Sequence, residues 1–247
     1  MGWLIFRQFG AKKNREGTLE TANLFITSPI WKSAFPAAHA GILVMRNASN
    51  PAHHAELEKK KAELEETLRS QFAGQDRVAI ASHPVLQVYA EYYKRFKKTY
   101  HVQLQLESIV LKGKSIPTVA SLVECMFMAE VKNMLLTAGH DLDKLGLPLT
   151  LDVTQGTESY TVMRGAEQIV KAGDMTISDQ AGIISNIVYG PDRRTQITES
   201  TRNVAFTVYA PAGIDEGLIT QHLQDMCDYV LVVAPQAEVG LMEVYGE

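Results

Sequence analysis

The sequence predicts an α+β fold around one core. Helix-spaced apolar residues dominate the stretch before Leu145. Short strand-like runs separated by Gly, Pro and Asp dominate the stretch after it, and one more helical pattern follows near the end. Helices gathered ahead of strands argue against a regular alternation of strand and helix. With 247 residues and 46% hydrophobic content, the chain is long and apolar enough to bury a sizeable core.

The elements follow in order. Residues 1–20 read as a flexible arm or leader, since Arg7–Glu20 is basic and then polar without periodicity; residues 21–247 read as a single domain. Leu24–Thr27 reads as a short strand. Gly41–Met45, a continuous apolar run, suits a strand buried on both faces. Asn50-Pro51 reads as the cap and first position of a helix with the stripe Leu57, Leu64, Leu68 and Phe72. Glu56/Lys60 and Glu65/Arg69 are i,i+4 pairs on its wet side. A second helix is expected over Pro84–Thr99, capped by Ser82, and a third over Pro117–Leu136, ended by a left-handed Gly139. Strands are expected over 149–153, 159–163, 175–178, 182–188 and 203–209, a helix over 215–229 and an edge strand over 238–244.

The formal net charge of -4 gives no global basic field for a long nucleic acid, so DNA is not an expected partner, while a local basic patch stays open. Cys125 and Cys227 form no CxxC pair and read as buried free thiols. No apolar run approaches the roughly 18 residues of a membrane span. The first residues are too short for a signal-peptide core, which points to the cytoplasm. GxGxxG, a Walker loop, GxSxG and HExxH are all absent, which disfavours nucleotide-driven enzymes, serine hydrolases of that type and zinc proteases. No cofactor or metal is expected.

Three constellations carry chemistry. Tyr92, Tyr93, Phe96 and Tyr100 interleave with Lys94, Arg95, Lys97 and Lys98. The pattern reads as a helix with tyrosines inward and lysines outward, and the same basic face suits an RNA backbone. His140-Asp141-Leu142-Asp143 offers a proton carrier beside two carboxylates, or alternatively a cap for a short turn at Asp141. Ser185-Asn186 interrupts an apolar run and needs polar partners or a ligand, and Gly190-Pro191-Asp192-Arg193-Arg194-Thr195 follows it. Gly-Pro-Asp is turn chemistry, and paired arginines suit a carboxylate or phosphate fork.

Taken in order, several motifs resemble the B3/B4 module of the phenylalanyl-tRNA synthetase β subunit, and its freestanding relatives in particular. They are Leu111-Lys112-Gly113, Ile116-Pro117, Ser121–Glu124, Asp141–Leu145, Ser178-Asp179, Ile187–Thr195 and Thr198–Thr201, within a span from about Phe25 to Pro211. The resemblance implies a three-layer sandwich of two mixed or antiparallel sheets with helices packed on one side. It implies a pocket that, in the synthetase, hydrolyses tyrosine wrongly attached to tRNA. No class II core is present, so no complete tRNA ligase is implied. The pocket would lie between Glu124, Phe127 and Val131 on the buried helix and Ser185, Asn186 and Thr207 on the late strands. Tyr189, Asp192, Arg193, Arg194 and Thr195 would form its substrate-binding rim. Phe127, Ala138 and Thr207 stand where the family carries an asparagine, a histidine and a glutamate. The implied function is binding of an amino acid or aminoacyl-tRNA end, with hydrolysis of the aminoacyl ester in trans. Asn186, Thr207 or a backbone amide would orient the water and stabilise the oxyanion, and His140 would carry the proton. The alternative is a catalytically silent RNA- or small-ligand-binding module of the same fold.

Overall fold

The computed structural model describes residues 24–246, so the arm expected over 1–20 lies outside the described residues. Two sheets organise the chain. Strands β2 (His39–Arg46), β3 (Leu136–Asp141), β10 (Val204–Ala210) and β11 (Glu238–Tyr245) form an antiparallel sheet in the order β11-β2-β10-β3. Strands β1 (Phe25–Thr27), β4 (Leu149–Val153), β7 (Met175–Asp179), β8 (Gly182–Asn186) and β9 (Gly190–Pro191) form a mixed sheet in that order, with only β1 and β4 parallel. The strand expected over 238–244 is β11, at the edge of the first sheet.

Strand alternation assigns the faces. In β10, Thr207 and Tyr209 share a face with Ala138 and Leu136, their partners in β3. That face meets the mixed sheet, where the Tyr209 hydroxyl and Ser185 Oγ share a 2.6 Å hydrogen bond. The opposite face carries α6 (Ser121–Asn133) and α7 (Glu216–Val233). There a Cβ on Gly41 would stand 2.9 Å from Ile219 Cγ2 of α7. The hairpin β5 (Ser159–Thr161) and β6 (Glu167–Ile169) adds Tyr160 and Val162, which pack with Val170 against Ile183 and Tyr189 beyond the mixed sheet. The result is an α+β architecture of helices on one sheet and that sheet on a second.

The remaining helices are α1 (Pro29–Ala34), α2 (Ala55–Gln71), α3 (Arg77–Ala81), α4 (Pro84–Lys94) and α5 (His101–Val110). Several boundaries depart from the sequence expectation. Helix α2 starts after His54, whose Nδ1 accepts the Leu57 N–H at 3.4 Å. Asn50 instead caps α6, its Oδ1 accepting the Leu122 N–H at 2.8 Å, because Ala120 at that helix start has no capping oxygen. Ser82 closes α3 rather than opening α4. Glu65 and Arg69 pair at 3.1 Å, but Glu65 is buried rather than on the wet side and also accepts the Ile116 N–H at 2.7 Å, whereas Glu56 pairs with Lys59 and Lys60 with Glu63.

Helix α6 ends at Met134, whose φ of 58° is left-handed. The chain then extends as β3, which the sequence reading merged into the helix. Gly139 is therefore a strand residue. It is small because a Cβ there would stand 2.8 Å from Ile197 Cδ1 and 3.2 Å from Met126 sulfur. Cys125 and Cys227 are both free and buried.

Candidate nucleic-acid interface

Helix α4 turns its tyrosines inward, and each hydroxyl has a buried partner. Tyr89 donates to the Tyr209 carbonyl, Tyr93 to the Ile187 carbonyl and Tyr92 to Asp174 Oδ1 at 2.6 Å. Desolvation and these bonds make the tyrosines clamps between α4 and both sheets. The cations leave by the other side. Lys94 pairs with exposed Glu91 at 3.6 Å. Arg95 lies over Phe35, Tyr92 and Phe96, at 5.1 Å from the nearest ring centroid. Lys97 is exposed with φ 56°. Lys98 reaches across the fold and sits 5.5 Å from the Tyr189 ring centroid.

Lys98 and Tyr189 come from two separate segments of the sequence, and the fold brings them together. They line a cleft of about 400 Å³ with Val162, Arg164, Gln168 and Pro191. Arg164 stands on the β5–β6 turn and is exposed. Beside it, Gly165 adopts φ 83°, and a Cβ there would stand 2.7 Å from Arg193 Nη1. The positive φ is what favours glycine in that turn, and the exposed Arg193 guanidinium is laid against it. Arg193 is thus on the same flank as Arg164. Beneath the wall, Asp174 accepts the Val188 N–H at 3.3 Å. Burial pushes the Asp174 carboxyl up to about 7, against the hydrogen bonds from Tyr92 and the Val188 amide. Near neutral pH it is held partly as the acid, which reduces the negative charge under the cationic cleft.

The other nominated residues do not converge with these. Arg194 makes a two-pronged contact with buried Asp179, at 3.0 and 2.8 Å, and donates to the Lys144 carbonyl. Burial alone would raise the Asp179 carboxyl, but the Arg194 guanidinium and the Gly146 and Ala181 amides hold it below its ordinary value. Asp192 accepts from the Thr195 hydroxyl and amide. Thr195 in turn meets His140 Nδ1 at 2.8 Å. Since the threonine proton goes to Asp192, Nδ1 carries the imidazole proton and Nε2 is bare. Among the described residues His140 Nε2 is buried without a partner. Burial and the nearby Arg194 charge push the imidazole down to about 3, so it is neutral near pH 7. Asp141 caps the short turn Leu142–Lys144 through Asp143 N–H at 3.2 Å.

The pocket expected between helix and late strands is not assembled. Thr207 is fully buried between the two sheets, on the face of β10 away from α6, with Ala138 O at 3.5 Å from its hydroxyl. Asn186 lies on the opposite face of its strand from Ser185 and holds the following turn, accepting from Val188 and Tyr189 N–H at 3.2 Å each. Ser185 is spent on Tyr209. Glu124 is buried in an ion pair with Lys61 at 2.8 Å. Phe127 and Val131 line a separate apolar cleft with α5. The physical reason is strand period two: neighbouring residues in β8 diverge to opposite faces. Sequence reading also missed Arg164; the signal was a cation next to glycine in a tight turn between two short strands.

Fold and site together define an α+β protein with a cationic, aromatic-walled cleft where the segment after α4, the β5–β6 hairpin and the turn into β9 meet. Among the described residues no helix is long and apolar enough to cross a membrane, and no group of three or more His, Cys, Asp or Glu is placed to hold a metal ion. No protein family's sequence profile matches the chain, and no curated protein matches it. Among solved structures, the chain is similar to an N-terminal fragment of the phenylalanyl-tRNA synthetase beta-subunit from Pyrococcus horikoshii, at 10% identity and a TM-score of 0.48. The match covers 90% of this chain and 54% of that one, so this chain spans about half the length of the synthetase fragment.

Proposed function

We propose that this protein binds the single-stranded end of an RNA, an aminoacyl-tRNA acceptor end included, and does not hydrolyse the ester. The observation that supports this is the meeting of Lys98, Arg164 and Tyr189 in one cleft, with Arg193 on its flank. A base takes the Tyr189 ring and displaces the Lys98 ammonium toward a phosphate, while Arg164 and Arg193 take the neighbouring phosphates. Stacking of one base on an aromatic contributes about 1–3 kcal/mol and tolerates any sequence. The cations add a salt-dependent share. Hydrolysis is left out because Asn186, Thr207 and His140 are buried, already bonded or neutral, and share no cleft with these cations.

Fluorescence anisotropy with a labelled single-stranded RNA tests the binding, and release of amino acid from charged tRNAs tests the chemistry. Native protein should bind, and Tyr189→Ala and the pair Lys98→Ala/Arg164→Ala should each weaken binding about tenfold or more. No charged tRNA should lose its amino acid above the buffer rate. Absence of binding at low salt overturns the proposal. Ester release that Thr207→Val abolishes would restore the hydrolase reading.

A further inference from the structure

A second cleft lies elsewhere, between α5, the loop that follows it and α6. It measures about 400 Å³ and its exposed lining is mostly apolar, within the range of small-ligand sites. The spacing explains why it is open. Val102 and Leu106 turn α5 toward the core, so His101, Leu104, Gln105 and Ser108 fall on the cleft side, with buried Ile109 at the boundary between the two. Leu104 is left 40% exposed there and supplies the apolar wall on the α5 side. Facing it, Phe127 is half-buried on a helix most of whose residues are buried. Phe127 and Val131, one turn apart, form the far wall.

The polar groups are few and specific. Among the described residues, Gln105 Oε1 is buried against this cleft with no hydrogen-bond partner. A carbonyl oxygen taken out of water and left unpaired costs free energy that a donor from a ligand would recover. Lys114 exposes its ammonium at the rim. We infer that this cleft binds a small amphiphilic acid: an apolar, preferably aromatic body between Leu104 and Phe127, one N–H or O–H donor to Gln105, and an anionic end at Lys114. This site is separate from the RNA cleft, and the two stand or fall apart.

Anilinonaphthalene sulfonate carries all three features and is its own reporter. Titrated into the full chain, it should give saturable, blue-shifted fluorescence with one site per chain. Leu104→Glu, on an exposed position, should weaken binding about tenfold by placing a carboxylate on the apolar wall. Gln105→Leu should weaken it by a smaller factor, and Lys114→Glu, in the exposed loop, should weaken it with the fold unchanged by circular dichroism. Lys98→Ala should leave it unchanged. Non-saturable binding, binding indifferent to Leu104→Glu and Lys114→Glu, or loss confined to Lys98→Ala would each overturn the inference.

Discussion

Arg193 and Arg194 are adjacent and chemically identical, yet the fold uses them differently. Arg194 neutralises the buried Asp179 carboxylate with two short hydrogen bonds, while Arg193 is exposed beside Arg164. Removing one partner of a buried charge pair leaves the other uncompensated. Arg194→Ala should therefore cost about 2–3 kcal/mol in urea unfolding, and Arg193→Ala under about 0.5 kcal/mol while weakening RNA binding. Equal effects on stability would contradict the distinction. The Asp179 contribution should disappear only in acid: its carboxyl sits below the ordinary value, so its stabilisation is present above that value and lost as pH falls through the lower one.

Glu130 behaves in the opposite sense. Burial pushes its carboxyl from 4.5 up to about 8, although the Thr137 amide donates to it. Between those values the folded chain holds a proton that the unfolded chain has released, so its contribution is full below that window and is lost as pH rises through it. Glu130→Gln keeps an acceptor for Thr137 and removes the titration. The variant's stability relative to native should rise steadily from pH 4.5 to 8; a difference independent of pH would contradict this.

At the scale of elements, the sequence was most legible where one period dominates. The apolar run of β2, the late strands and α7 all appear close to their expected places. Legibility failed where polar residues are buried or apolar runs are continuous. Helix α5 went unread because Gln103 and Glu107, which bond each other at 2.8 Å, occupy its buried side. Strand β3 was absorbed into α6 because Met134-Leu135-Leu136 fits either state, and the left-handed turn at Met134 carries no glycine to announce it. Asn50 shows a related limit: its preference for capping was legible, but its target, 72 residues away, was not. Its Nδ2 also donates to the Thr198 carbonyl at 2.8 Å, tying α6 to the loop before β10. Asn50→Ala should cost about 1–2 kcal/mol in thermal or urea unfolding, and Asn50→Asp, which keeps the Leu122 acceptor, should cost less.

At the scale of the whole molecule, charge placement matters more than charge total. A chain of net charge -4 carries Lys98, Arg164 and Arg193 on one flank, drawn from three separate stretches of sequence. Which segments mattered was partly legible, since the Lys94–Lys98 run and the Tyr189–Thr195 run were both nominated. Their meeting was set by long-range packing, through the tyrosines that dock α4 on the sheets. If three cations meet phosphates, the logarithm of RNA affinity should fall with the logarithm of salt at a slope of about -2, and Arg193→Ala should flatten that slope. The most direct measurement is photo-cross-linking of a 4-thiouridine RNA followed by peptide mapping. Adducts are expected at Lys98, at Tyr189 and in the Arg164 turn, lost in Tyr189→Ala. Adducts concentrated on α5 and α6, or none above the level of a non-binding control protein, would contradict it.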